Sequence, residues 1–417
     1  MLPVVKTPTQ KLEKYTDFIP DRLFQKIKTL ARDLKGLRVI MVNSTPRGGG
    51  VAEVLKSLVP LMKGVGIKAS WHVIPPGRKF FSLTKELHNA LQGKWFPLSF
   101  ASRKLYQRYS EKSAELMLDM KADIWVMHDP QPVGVIHYLP DLDFSPSVSR
   151  IHIDTSNPNL EAWNFIKGFL LQYRKIIFSA KEFVHSEIPR EKIVIFPPAI
   201  DPLIEKNRAL STFQAKTILK SFGINSGKPL ISQVSRFDPW KDPMGLIKAY
   251  RLAKKKIPDL QLALVGLFLA LDDPEAIKVF KEVKKESNRD PDIFLFSNPD
   301  QLRSLRVDRF VNACQVASNL VLQKSIKEGF GLSVAEAMWK GKIVIGGNVG
   351  GIKTQVQDGK NGFLVSTPEE AAERIIQVIE NLPLKEKLGR AARNTVRKKF
   401  LMPRLLRDYL KLFRELV

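Results

Sequence analysis

The 417-residue chain has a single cysteine, Cys314. That excludes an internal disulfide and a cysteine-ligated metal cluster. The six histidines, His72, His88, His128, His137, His152 and His185, show no H-E-x-x-H or other paired spacing. No metal site is expected from them. No G-x-S-x-G occurs, so a Ser-His-Asp hydrolase has no support. Long apolar runs are missing too. The longest, Leu262 to Leu271, contains Gly266 and is far too short to span a bilayer. The first twenty residues show no apolar stretch behind a basic start. No secretory signal is read there, and the expected compartment is cytoplasmic.

Acidic residues are scarce beside basic ones, 42 against 67, for a net charge of +25. One reading is an anionic partner: nucleic acid, anionic lipid or a phosphorylated substrate. The other is a solvated basic surface. Lys254-Lys255-Lys256 belongs to no motif and Arg397-Lys398-Lys399 falls near a helix end, which favours solvated helix faces.

What is present describes a soluble globular protein, with 44% hydrophobic and 26% charged residues. The length exceeds one ordinary core and suggests two domains. Buried strands are expected at Leu37–Val42, Ser70–Ile74, Asp123–Met127, Arg150–Asp154, Lys175–Phe178 and Lys192–Phe196. A helix is expected from about Val51 to Met62. Phe196-Pro197-Pro198-Ala199-Ile200-Asp201-Pro202 breaks the alternation with three prolines, and the interdomain linker is placed there. A second series follows at Leu230–Ser235, Leu262–Val265, Ile293–Phe296, Leu320–Gln323 and Ile343–Ile345. Strands alternating with helices imply parallel sheets. The expected domains are residues 1–200, residues 201–400, and a C-terminal helix, 401–417, packing back on the first. The fold class is α/β: two Rossmann-like, doubly wound domains facing an interdomain cleft, with ligands at the strands' carboxyl ends.

Three constellations carry chemistry. Arg47-Gly48-Gly49-Gly50 lies between a strand and a helix. Its glycines let backbone N–H groups approach an anion, although a plain tight turn would read the same way. Ser235-Arg236-Phe237-Asp238-Pro239-Trp240-Lys241 directly follows a buried strand. Arg236 and Lys241 there suit a diphosphate and its departure; the plainer alternative is two surface cations. The strongest is Glu328-Gly329-Phe330-Gly331-Leu332-Ser333-Val334-Ala335-Glu336. The N–H groups of Gly329, Phe330, Gly331 and Leu332 open a helix and suit a phosphate. Glu328 in the loop suits sugar hydroxyls, and Glu336, a turn into the helix, suits a ribose diol. Asp129, Gln131, His152, Asp154 and Asn157 collect at strand ends of the first domain, as a polyhydroxyl acceptor requires. Trp95 and Trp163 are core candidates, with sugar stacking as the alternative.

The E-x7-E run, the strand-end S-R-F-D-x-x-K, the glycine loop and Gly350-Gly351-Ile352-Lys353 resemble the retaining family-four glycosyltransferases of the GT-B fold. His128-Asp129-Pro130-Gln131-Pro132 and Ile151 to Asn159 narrow the resemblance to the trehalose glycosyltransferring synthases. The resemblance covers the chain from about Leu37 onward. It implies a retaining enzyme that makes α,α-trehalose from a nucleotide-diphosphate glucose (ADP-, UDP- or GDP-glucose) and glucose. Catalytic roles fall on His152, Glu328, Arg236 and Lys241. Donor binding falls on Gly49, Gly50, Gly329, Phe330, Gly331, Leu332 and Glu336, and acceptor binding on Asp129, Asp154 and Asn157. It implies front-face substitution, no metal and no required cofactor, with Mg2+ at most stimulatory. It also implies a basic side chain at the position of Gly347, which this chain lacks. Partners are expected to be small molecules, without nucleic acid or stable membrane insertion, and a homodimer is the assembly to look for. The same resemblance leaves a trehalose phosphorylase open, and the basic charge leaves a membrane-associated transferase with a lipid acceptor open. A nucleic-acid-binding protein on a degenerate fold is disfavoured by the intact Arg236, Lys241, Glu328 and Glu336 set.

Overall fold

A computed structural model describes residues 1–75, 77–139, 146–267, 274–287 and 290–417. The chain divides into two compact units, Met1–Ala199 with Leu401–Val417, and Ile200–Phe400.

The first unit is built on seven strands: β1 (Val4–Val5), β2 (Arg38–Asn43), β3 (Lys68–Val73), β4 (Ile124–His128), β5 (Ser147–Ile151), β6 (Lys175–Phe178) and β7 (Ile193–Ile195). Their order is β1-β3-β2-β4-β5-β6-β7. β2 to β7 pair in parallel. The two-residue β1 is the exception, an antiparallel edge on β3 that strand patterning does not predict because it is too short to show a period. β4 is buried at all five positions, as a central parallel strand with helices on both faces must be.

β5 is also buried throughout, Arg150 included. Its guanidinium is accommodated by the C-terminal helix Met402–Leu416. Arg150 Nη1 donates to Tyr409 Oη at 2.9 Å, and the cation lies 5.0 Å from the Phe196 ring centroid and 5.4 Å from that of Tyr409. Arg404 on the same helix donates to the carbonyls of Pro197 and Pro198 at 2.9 and 2.7 Å. The helix buries Leu405, Leu406, Tyr409, Leu410, Leu412 and Phe413, packing on the helices Asp21–Asp33 and Gly50–Gly64. Full burial of each such side chain contributes roughly 1.5–3 kcal/mol, which holds this remote segment in the first unit.

The second unit carries β8 (Leu230–Val234), β9 (Gln261–Val265), β10 (Ile293–Phe296), β11 (Leu320–Gln323), β12 (Val344–Gly347) and β13 (Phe363–Val365). They are ordered β10-β9-β8-β11-β12-β13 and all parallel. β13 joins the five strands expected from the sequence. In such doubly wound sheets a crevice opens where the strand order reverses. That point lies between β8 and β11 here, and between β2 and β4 in the first unit. The residues following those four strands are where a ligand belongs.

Candidate active site

After β8 the chain runs through Ser235 to Lys241. Asp238 caps the short turn Pro239–Lys241, its Oδ1 accepting from Trp240 N at 3.0 Å. Ile326 N donates to Trp240 O at 2.9 Å, tying this loop to the one after β11. The result brings together groups 87 residues apart. Lys241 Nζ lies 2.6 Å from Glu328 Oε2, and Ser325 Oγ donates to the same oxygen at 3.2 Å. Glu328 is 8% exposed, so this ion pair is poorly screened by solvent.

The helix Leu332–Trp339 starts immediately beyond. Its cap residue Gly331 has φ +82°, a left-handed value that glycine alone adopts without strain. Among the described residues the backbone N–H groups of Gly329, Phe330, Gly331 and Leu332 meet no protein acceptor. Four unmet donors at a helix N-terminus, next to the Lys241–Glu328 pair, are the kind of groups that suit an anion. The loop is braced from behind: Gly351 N donates to Glu328 O at 2.8 Å, and Gln355 Nε2 donates to Phe330 O at 2.5 Å.

Arg236 stands apart from this pair. Its Nη2 lies 3.2 Å from Asp238 Oδ2 and its side chain is nearly half exposed. No contact with Lys241 or Glu328 occurs among the described residues. Glu336 is buried, with Oε1 3.8 Å from Lys206 Nζ. Neither Lys206 nor Lys324, which is buried in an ion pair with Asp242, belongs to the motifs of the sequence. No local pattern marks either residue.

Gly347 is where the resemblance implied a basic side chain. A Cβ there would sit 1.9 Å from Ser325 O. The backbone of the Glu328 loop therefore fills the space a side chain would need, so in this chain glycine at position 347 is a steric requirement.

In the first unit, Gly48 and Gly49 have φ +73° and +84°, and a Cβ at either would meet nothing. Glycine is required there for backbone handedness rather than space. The helix then begins at Gly50, and all three glycines are exposed. Across the crevice, β4 ends at His128. The next residue, Asp129, is held at φ 65°, ψ 174°, a region nearly restricted to glycine that costs a side-chain-bearing residue about 1–3 kcal/mol. Asp129 Oδ1 accepts from His152 N at 2.7 Å.

That bond corrects the strand expected to reach Asp154. β5 stops at Ile151, since the next N–H is taken by a carboxylate rather than by the sheet, and His152 is the first residue beyond it. His152 Nε2 lies 2.9 Å from His128 Nδ1. Burial holds both imidazoles well below their ordinary range, and the Arg150 charge acts in the same direction. Burial also pushes the Asp129 carboxyl up to about 7, against the His152 N–H bond and Arg150.

The other acceptor candidates separate from this cluster. Asp154 Oδ1 accepts from Ser156 N and Ser156 Oγ at 3.0 and 2.5 Å, which makes it the cap of its own turn. Asn157 is exposed. Trp163 is a core residue stacked on His185 at 3.9 Å, and Trp95 is 78% exposed. The sequence has two D-x-D spacings of the kind that can hold a metal: Asp290 and Asp292 both bond Lys254 at 2.8 Å, and Asp141-Leu142-Asp143 lies outside the described residues. Among the described residues no His, Cys, Asp and Glu group suits a metal ion, and no helix is long and apolar enough to cross a membrane.

A strained acid with a raised pKa gives a signed expectation. Asp129→Gly should stabilise the protein by about 1–3 kcal/mol through strain relief while lowering activity. A carboxyl whose folded pKa lies above its unfolded one loses stabilising protonation as pH rises. Wild-type stability should therefore decline between about pH 4 and pH 7 relative to the variant, and the gap should be widest above pH 7. Denaturant unfolding at pH 4, 6 and 8 checks this; a gap that does not grow with pH, or a less stable glycine variant, contradicts it.

Comparison with known proteins shows the family of each unit. Residues 41–185 match the family model described as trehalose synthase, N-terminal domain, and residues 214–395 match glycosyl transferases group 1. The chain is 43% identical over 404 residues to a trehalose synthase of Thermococcus litoralis, covering 97% of this chain and 96% of that one. A trehalose phosphorylase of Pleurotus pulmonarius is 27% identical, and the match spans only 54% of its length. Among solved structures, a UDP-forming α,α-trehalose-phosphate synthase from Burkholderia xenovorans superposes with a TM-score of 0.71 at 12% identity, over 91% of this chain and 100% of that one. That likeness establishes the two-domain fold. With nearly full-length identity above 40%, the chain belongs to the trehalose synthase family of group 1, GT-B glycosyltransferases.

Proposed function

We propose that this chain is a retaining glucosyltransferase that forms α,α-trehalose from a nucleotide-diphosphate glucose and D-glucose, needs no cofactor, and runs in both directions. The observation that carries the reading is the Lys241–Glu328 pair at 2.6 Å beside four unmet backbone N–H groups. In this reading the N–H groups and Lys241 take the diphosphate. They bind it more tightly as the bond from glucose C1 to the phosphate oxygen breaks and negative charge grows on the leaving group. Glu328 holds the lysine in place and accepts from donor glucose hydroxyls. Glu336 accepts from the ribose diol. Arg236 swings from Asp238 to the diphosphate when donor is bound. Gly49 and Gly50 let the first-unit loop approach the transferred sugar, with Asp129 and His152 contacting sugar hydroxyls. The acceptor's anomeric hydroxyl attacks C1 from the face the leaving group vacates. Its proton passes to the departing phosphate oxygen, so the configuration is retained and no free proton is produced in the step.

The test is direct. Incubating the protein with ADP-, UDP- and GDP-glucose in turn, each with glucose, should yield a disaccharide with an α,α-1,1 linkage by NMR, without added metal. A different linkage, or transfer only to a lipid acceptor, overturns the proposal. Activity with glucose 1-phosphate and with none of the nucleotide sugars would make the chain a phosphorylase.

A further inference from the structure

The first-unit crevice contains a chain of three side chains whose hydrogen-bonding roles fix one another: Met41, His128 and His152. Met41 lies in β2, one strand away from His128 at the end of β4, and His152 follows β5. Met41 is fully buried and His128 is 1% exposed. His128 Nε2 lies 3.4 Å from Met41 Sδ, and His128 Nδ1 lies 2.9 Å from His152 Nε2. The two rings are nearly parallel, 23° apart.

A thioether has lone pairs and no hydrogen, so it only accepts. His128 Nε2 must then carry a proton, since a bare nitrogen would set two lone pairs against each other in a buried site. Burial and the neighbouring Arg150 charge keep both imidazoles neutral, so each ring carries one proton. With its proton on Nε2, His128 has a bare Nδ1. That nitrogen accepts, and the proton in the 2.9 Å bond belongs to His152 Nε2. His152 Nδ1 is therefore bare as well. Among the described residues it has no protein partner. Asp129 Oδ1 fixes the backbone of the same residue by accepting from His152 N, so ring and main chain are both held.

We infer that Met41 and His128 are positioning residues that set the tautomer of His152 and present its Nδ1 as a hydrogen-bond acceptor for one hydroxyl of a bound sugar. This rests on the functional reading above for the identity of the ligand; the tautomer itself does not. The sequence motif marks His128 and His152 but not Met41, which reads as an ordinary core residue of a buried strand. A sulfur acceptor is useful here because it is weak and apolar. It selects one tautomer without requiring water in the core or adding a charge that would raise the imidazole pKa.

The experiment reads the tautomers first. Long-range 1H–15N NMR on the full-length, 15N-histidine-labelled protein, with His128→Gln and His152→Gln used only to assign signals, should show Nε2 protonated and Nδ1 bare in both rings. A protonated Nδ1 on His152 overturns the inference whether or not any glucose is transferred. Met41→Leu keeps a similar volume and removes the acceptor. The bare Nδ1 signal of His152 should then give way in part to the protonated form, and kcat/KM should fall roughly five- to tenfold, the scale of one hydrogen bond. A series of monodeoxyglucoses, offered as acceptor and as donor sugar, supplies the second readout. One deoxy position should be penalised in the wild type and much less in Met41→Leu. Equal penalties in the two proteins at every position overturn the sugar-acceptor role. Failure of the wild type to transfer glucose at all would sink the proposed function and leave the NMR result standing.

Discussion

Lys241→Ala is expected to lower kcat/KM for the nucleotide-glucose by roughly 10²–10³, about 3–4 kcal/mol. Two effects act together. The variant removes the positive charge that grows more strongly bound as the diphosphate departs. Among the described residues it also leaves Glu328 Oε2 with only Ser325 Oγ, at 3.2 Å, as a side-chain partner. A carboxylate so poorly exposed is left without its cation, so the variant also disturbs the group proposed to hold the donor glucose. The stability cost should be smaller, about 1–3 kcal/mol, because the Lys241 side chain is 18% exposed and the cavity it leaves is open to water. Lys241→Arg separates charge from geometry. It keeps the cation but replaces a compact ammonium with a planar fork, and its loss should be intermediate. Steady-state kinetics beside thermal melts decides the matter. A folded alanine variant within threefold of wild type would remove Lys241 from the proposed chemistry.

Gly347→Ala and Gly351→Ala should each destabilise the second unit by about 3 kcal/mol, the upper part of the range for overpacking a tight core. At about 2–4 °C per kcal/mol for a unit of this size, the melting temperature falls by roughly 6–12 °C. An added Cβ on Gly351 would lie 2.3 Å from Phe330 Cα and 2.4 Å from Phe330 N; on Gly347 it would lie 1.9 Å from Ser325 O. These are backbone atoms, so no side chain can swing aside. The strand and helix start carrying the glycines must shift, or the loop from Ser325 to Phe330 must. Either movement displaces Glu328 and the four N–H donors. Activity should fall further than the melt alone accounts for. Gly359→Ala is the control. Its φ is +68° but nothing lies within 4 Å of an added Cβ, so only the modest left-handed strain of about 1–2 kcal/mol applies. Melting temperatures for Gly347→Ala and Gly351→Ala no lower than that of Gly359→Ala would show that the close approach is not rigid.

Much of the second unit was legible along the chain. β10 and β11 fall on the residues their apolar runs predict, and the helix after the Glu328 loop begins at Leu332 as its glycine cap suggests. These features are local: a run of side chains or a cap lies within a few residues, where period and turn chemistry act. The E-x7-E spacing likewise places Glu328 before the helix and Glu336 within it using only helix geometry.

Tertiary structure decided which charges meet. Lys241 joins Glu328 and leaves Arg236 with Asp238; Lys206 reaches Glu336; Lys324 reaches Asp242. These pairs, except Arg236 with Asp238, span 82 to 130 residues; those of Lys241 and Lys324 follow from the β8–β11 adjacency and its loops, and no local pattern encodes any of them. The same holds in the first unit. The sequence names Asp129 and His152 as polar residues at strand ends. It does not reveal that Asp129 is strained, that its carboxylate ends β5 at Ile151, or that a buried methionine in β2 meets His128. Side-chain identity travels with the chain, whereas protonation, tautomer and strain depend on what the neighbouring strands bring within a few ångströms, and only the folded sheet order supplies those neighbours.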